Sequence, residues 1–144
     1  MSTIRILVTG SREWDDKDTL WSELDTLRGR YGTELVIVHG ACYPAVDPST
    51  GERPEISADY LAHLWCLSRG VPEEAYPATW YPEGKFDRGA GPRRNQRMCD
   101  KGPYRGCVAF PLEGNGTWDC VKRANRAGIA VRIVPARKPK QGAQ

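Results

Sequence analysis

The chain has 144 residues with 40% hydrophobic and 27% charged side chains, the proportions of one soluble domain long enough to bury a real core. Its net charge is +3, but Arg137, Lys138 and Lys140 after Pro135 account for that excess, and a formally neutral body disfavours a nucleic-acid footprint. No apolar run approaches a membrane span and no charged-then-apolar signal region opens the chain, so a cytoplasmic protein without membrane contact is expected.

Ile4-Arg-Ile-Leu-Val-Thr9 is β-rich and runs into Gly10-Ser11-Arg12. Asp15 or Asp16 can cap the helix that follows, in which Leu20, Trp21, Leu24 and Leu27 fall at helical spacing and which fades at Gly29–Gly32. Leu35-Val-Ile-Val38 is apolar throughout, as a strand buried on both faces should be, and opens into His39-Gly40-Ala41-Cys42. Residues 43–56 are rich in proline, glycine and acids and predict an exposed loop. Ser57 then caps a helix with Leu61, Leu64, Trp65 and Leu67 on one side, closed by Gly70.

A short strand is expected near Glu74–Tyr76, between Pro72 and Pro77, and 81–91 predict a loop. A helix starts from Pro92, with Arg93, Arg94, Asn95, Arg97 and Met98 crowded into its first turns. That crowding is either a solvated face or a ligand-facing turn. Val108-Ala-Phe110 predicts a buried strand, and after Pro111 come Gly114-Asn-Gly-Thr117 and a helix with Val121 and Ala124 at helical spacing. Thr117 sits where an N-cap belongs. This strand, glycine turn and helix start is either a plain connector or a place where N–H groups and the helix dipole meet an anion. Gly128 ends the helix and Ile129–Val134 forms a last strand.

The alternation predicts an α/β fold: a single Rossmann-like domain over 1–135, with a mostly parallel five-stranded sheet and helices on both faces. The basic residues 136–144 are expected to form a disordered tail. In such sheets ligands bind at the carboxyl ends of the strands, so Thr9–Arg12, His39–Cys42 and Pro111–Thr117 should converge on one crevice. Neither Gly-x-Gly-x-x-Gly nor a P-loop lysine is present. The cysteines, Cys42, Cys66, Cys99, Cys107 and Cys120, form no Cys-x-x-Cys pair, and His39 and His63 lie far apart in sequence. Reduced thiols, most of them packing as small apolar groups, and no metal site are expected.

Those segments together resemble the YspA-related branch of the SLOG superfamily, Rossmann-like domains that bind nucleotides and their derivatives. The resemblance is carried by Val8-Thr-Gly-Ser-Arg12, Val38-His-Gly-Ala-Cys42, Ser57-Ala-Asp59, Pro77-Ala-Thr-Trp80, Gly89-Ala-Gly-Pro-Arg-Arg-Asn95 with Met98, Gly114-Asn-Gly-Thr117 and Ala127-Gly-Ile-Ala-Val131. Here residues 43–56 are inserted, Ser57 and Thr79 stand where the family has glycine and an acid, and the Pro111–Thr117 turn is longer.

The resemblance implies a site formed by Gly10, Ser11, Arg12, His39, Gly40, Ala41, Asp59, Arg94, Asn95, Gly114, Asn115, Gly116 and Thr117. In it Gly10, Ser11, Gly114, Gly116 and Thr117 would donate to phosphate, Arg12, Arg94 and Asn95 would neutralise and orient it, and Asp59 and Asp119 would accept ribose hydroxyls. Trp80 or Trp118 would stack a base. The expected ligand is a small-molecule nucleotide derivative of the ADP-ribose or NAD-derived kind, held by a sensor or sequestering protein in a bacterial or phage defence setting. Homodimerisation through helices flanking the site is implied as well. No cofactor is expected.

The competing expectation is a phosphoribohydrolase that cleaves the N-glycosidic bond of nucleoside monophosphates, as the related Lonely Guy enzymes do. Arg94 falls where their arginine belongs, but Cys120 occupies their glutamate position, leaving Asp119, turned by about 100 degrees on the helix, as the acid. A DNA-processing accessory like the SLOG protein DprA is disfavoured by the neutral body.

Overall fold

The computed structural model describes residues 2–137. Strands β1 (Ile4–Gly10), β2 (Leu35–His39), β3 (Glu73–Ala75), β4 (Gly106–Phe110) and β5 (Val131–Ile133) alternate with helices α1 (Lys17–Tyr31), α2 (Ala58–Arg69), α3 (Ala90–Asp100) and α4 (Gly116–Arg126). The sheet order is β3-β2-β1-β4-β5, and all pairings are parallel. The chain begins in the middle of the sheet, winds outward through β2 and β3, and returns to the other side of β1 with β4. The winding therefore reverses between β1 and β4, which opens a crevice at their carboxyl ends.

Side-chain alternation along each strand divides the core in two. Ile6, Val8, Leu35, Ile37, Val108 and Phe110 face α1 and α2, where Leu20, Leu24, Leu61 and Trp65 meet them. Leu7, Val38 and Cys107 face the other way, against Met98 and Cys99 of α3 and Cys120 and Ala124 of α4. Because both faces are covered, β2 is apolar at every position until His39. Trp14, which the periodicity does not single out, is fully buried. It lies edge-on to Phe110 with ring centroids 5.3 Å apart, and its indole N–H donates to the Asp16 carbonyl at 3.0 Å.

The helix ends show which local expectations hold. Asp16 caps α1 by accepting the Thr19 N–H at 3.2 Å, and Ser57 caps α2 by accepting that of Tyr60 at 3.4 Å. Gly128 follows α4 with φ +78, its N–H reaching the Asn125 carbonyl at 3.1 Å.

Thr117 is not a cap. Gly114 takes φ +114, which turns the chain early enough that Asn115 becomes the cap residue, without a side-chain bond, and Thr117 falls inside the first turn. Helix α3 starts at Ala90, ahead of Pro92, β3 begins one residue before the expected start, and β5 keeps only the centre of the expected last strand. Residues 43–56 are irregular apart from one antiparallel bridge between Asp47 and Glu52, which encloses a turn over 48–51. The expected basic tail lies outside the described residues from 138 onward. No helix among the described residues is long and apolar enough to cross a membrane.

Candidate functional site

A crevice of about 480 Å³ opens at the carboxyl ends of β1, β2 and β4. Its walls include Gly10, Ser11, Arg12, Gly40, Asp59 and Arg94, and beyond these Asn95, Gly114, Gly116 and Thr117. His39, Ala41 and Asn115, expected among them, do not line it.

Arg94 projects from α3 across the end of β2 and is only 6% exposed. Its Nε donates to Asn95 Oδ1 at 2.9 Å, Nη1 to the carbonyls of Gly40 and Tyr76, and Nη2 to Cys42 Sγ at 3.5 Å. Every one of these acceptors is neutral, and no carboxylate among the described residues forms an ion pair with the guanidinium. A cation that deep without a counter-charge is costly, because neutral acceptors satisfy its hydrogens but not its charge. The close approach depends on Gly40: a Cβ there would stand 2.6 Å from Arg94 Nη1.

Asp59, in the first turn of α2, is 6% exposed. Its Oδ2 accepts the Cys42 N–H at 3.0 Å, while Oδ1 is buried with no hydrogen-bond partner. Asp59 lines the crevice, and a buried oxygen without a partner is an unmet acceptor. At the β4–α4 turn, Gly116 and Thr117 begin a helix whose cap residue makes no side-chain bond, so the first-turn N–H groups and the positive dipole end face the same space.

The Ser11 N–H is not available to a ligand, because it donates to the Phe110 carbonyl at 3.0 Å; only the hydroxyl of Ser11 remains. Gly10 has a packing reason as well as a place on the wall. A Cβ there would lie 2.4 Å from Ala58 Cβ and 2.9 Å from the Phe110 carbonyl oxygen.

Asn95 links α3 to α4. While its Oδ1 accepts from Arg94, its Nδ2 donates to Asp119 Oδ2 at 3.0 Å. Asp119 in turn accepts from Arg123 Nε at 2.9 Å. Asp119 also lines the crevice, one residue before the position where the related enzymes carry their glutamate. Burial would raise its carboxyl, but the bonds from Arg123 and Asn95 outweigh that and hold it below its ordinary range. Cys120 is fully buried, and its contact with Cys99 together with burial pushes its thiol far up. It faces the core, not the crevice.

His39 and His63, distant in sequence, meet at Glu73, with ligand atoms all within 4.8 Å of one another. The Ala41 N–H donates to His39 Nδ1 at 3.1 Å, so the ring proton sits on Nε2 and is given to Glu73 Oε1 at 2.7 Å. A metal on Nε2 would need the lone pair that this arrangement removes. The cluster is better suited to holding the β2–α2 loop, where Ala41 takes φ +55. Glu73 accepts His63 Nδ1 as well, at 3.0 Å. Burial pushes its carboxyl up, and the two histidine bonds more than reverse that, leaving it below the usual range.

Sequence reasoning missed Glu13 on the crevice wall; it lies in a loop whose course no periodicity predicts. The family model described as the YspA, cpYpsA-related SLOG family matches residues 4–52. That span carries β1, the β2 strand end and most of the 43–56 loop. The Gene 61 protein of Mycobacterium phage D29 is 38% identical over 135 residues, covering 88% of this chain and 93% of that protein.

Proposed function

We propose that this chain, which belongs to the YspA, cpYpsA-related SLOG family, uses its strand-end crevice to bind a phosphate-bearing nucleotide derivative. The observation that carries this function is Arg94: a buried guanidinium whose protein partners are all neutral is completed when a ligand anion supplies the missing charge. The first-turn N–H groups of α4 add donors for the same phosphate. The unpartnered Oδ1 of Asp59 accepts a ribose hydroxyl. ADP-ribose and NAD-derived molecules combine both groups, and a sensor or sequestering protein needs no further chemistry from the site.

Hydrolysis of a glycosidic bond with Asp119 as the acid is less well supported. A general acid must carry a proton at working pH, and Asp119 is held as a carboxylate by Arg123 and Asn95. Isothermal titration with ADP-ribose, NAD and nucleoside monophosphates tests the assignment. Binding to at least one of them, lost by Arg94→Gln in a variant that stays folded, is expected; no heat with any at high protein concentration removes it. Release of free base from a monophosphate by the unmodified chain would instead reinstate the hydrolase.

A further inference from the structure

From the aromatic part of the crevice wall we infer that the crevice selects ligands carrying a planar aromatic base, through a stack built on Trp80 and Arg12. This rests on the phosphate-and-ribose assignment above and adds what is recognised at the other end of the molecule.

Trp80 lies in the segment between β3 and α3 and lines the crevice beside Gly91 and Arg12. Its ring is stacked with Phe86 at a centroid distance of 5.9 Å and an interplanar angle of 3°. Tyr81 leans on Phe86 at 5.6 Å. Aromatic rings that only fasten a loop turn inward and lose their exposure. Here Phe86 stays 59% exposed and Tyr81 65% exposed, so the segment leaves apolar rings beside the crevice where burial would have been favourable.

The indole is also held in place. The Asp87 N–H donates to the Trp80 carbonyl at 2.6 Å, and a Cβ on Gly91 would stand 2.9 Å from Trp80 Cη2, so the glycine is what admits the ring against the start of α3. A pre-set ring loses little freedom when a ligand stacks on it. Arg12 completes the stack from the end of β1, with its Cζ 4.7 Å from the centre of the Trp80 ring. The Arg12 side chain forms no ion pair among the described residues and is exposed. A guanidinium this close to the indole centre gives the crevice a second group on which a base stacks.

The test compares ligands that share phosphate and ribose and differ in the base. Titration of the full chain with ribose 5-phosphate, the four common nucleoside monophosphates and ADP-ribose is expected to show roughly tenfold or greater preference for at least one base-bearing ligand over ribose 5-phosphate. Trp80→Leu should shrink that margin while leaving ribose 5-phosphate affinity within about twofold; Arg12→Ala should shrink it as well. Quenching of tryptophan emission by the preferred ligand should disappear in Trp80→Phe. Equal affinity for ribose 5-phosphate and every base-bearing ligand overturns the inference while leaving the phosphate assignment standing. So does a Trp80→Leu variant, folded by circular dichroism, that weakens ribose 5-phosphate as much as the nucleotides. If none of the ligands binds, the phosphate-and-ribose assignment itself falls and takes this one with it.

Discussion

At the scale of single residues, glycines at the crevice have unequal reasons to be glycine. Gly40 makes room for the Arg94 guanidinium, since a Cβ at this position would stand 2.6 Å from Nη1. Gly40→Ala should therefore displace Arg94 and weaken nucleotide binding by roughly tenfold or more. Gly116, by contrast, has nothing within 4 Å of where its Cβ would be, and Gly116→Ala should leave both folding and binding close to unchanged. Titration of both variants with the ligand that binds the parent chain separates the two cases.

Ser57 makes a sharper test of local strain. It occupies φ +91, a backbone region suited to glycine, which accounts for the family's glycine there. Serine is tolerated because its Oγ accepts the Tyr60 N–H and donates to the Cys42 carbonyl, tying the long loop to the start of α2. Ser57→Ala keeps the strain and loses both bonds, and should cost about 1–2 kcal/mol. Ser57→Gly loses the bonds but relieves the strain, and should be clearly more stable than the alanine variant. Thermal unfolding of the pair decides it; equal melting temperatures would mean that the positive φ carries no penalty.

At the scale of elements, two polar junctions hold the crevice walls. One joins α3 to α4 through Arg94, Asn95, Asp119 and Arg123. The other joins β2, β3 and α2 through His39, Glu73 and His63. Glu73 and Asp119 both have carboxyls held below their ordinary values of 4.5 and 3.8. A depressed folded-state pKa means that the unfolded chain binds more protons in this range, so stability is fully present above the ordinary carboxylate values and is lost as pH falls from them through the lower folded-state values. Glu73→Gln removes that proton uptake from one junction. Its melting temperature should therefore fall less steeply than the parent's as pH is lowered below about 4.5, read by calorimetry across the acid range.

At the scale of the whole molecule, the reversal of winding between β1 and β4 gathers loops from distant parts of the sequence at one end of the sheet. The four helices divide as pairs over the two faces, and α3 and α4, which supply Arg94, Asn95 and Thr117, share the face that carries Cys99, Cys107 and Cys120. Those thiols are core residues; burial raises Cys107, and Cys120 is raised chiefly by Cys99, so their packing role does not compete with the crevice for reactive groups.

The strand and helix order, the two-faced burial of β2 and the strand-end location of the crevice follow from periodicity between near neighbours, which is a local property and so is written directly in the chain. Asp16 and Ser57 as caps were legible for the same reason. Tertiary structure alone decided which groups the walls leave unpaired. Ser11 loses its N–H to Phe110 on a neighbouring strand, Asp119 swings into the crevice while Cys120 joins the core, and His39 meets His63 only because both converge on Glu73 at the sheet edge. Each of these outcomes depends on where a partner tens of residues away is carried by the crossovers. A side chain's spacing along its own helix or strand indicates its face, but its free hydrogens and unpaired charge are set by what the fold brings against that face.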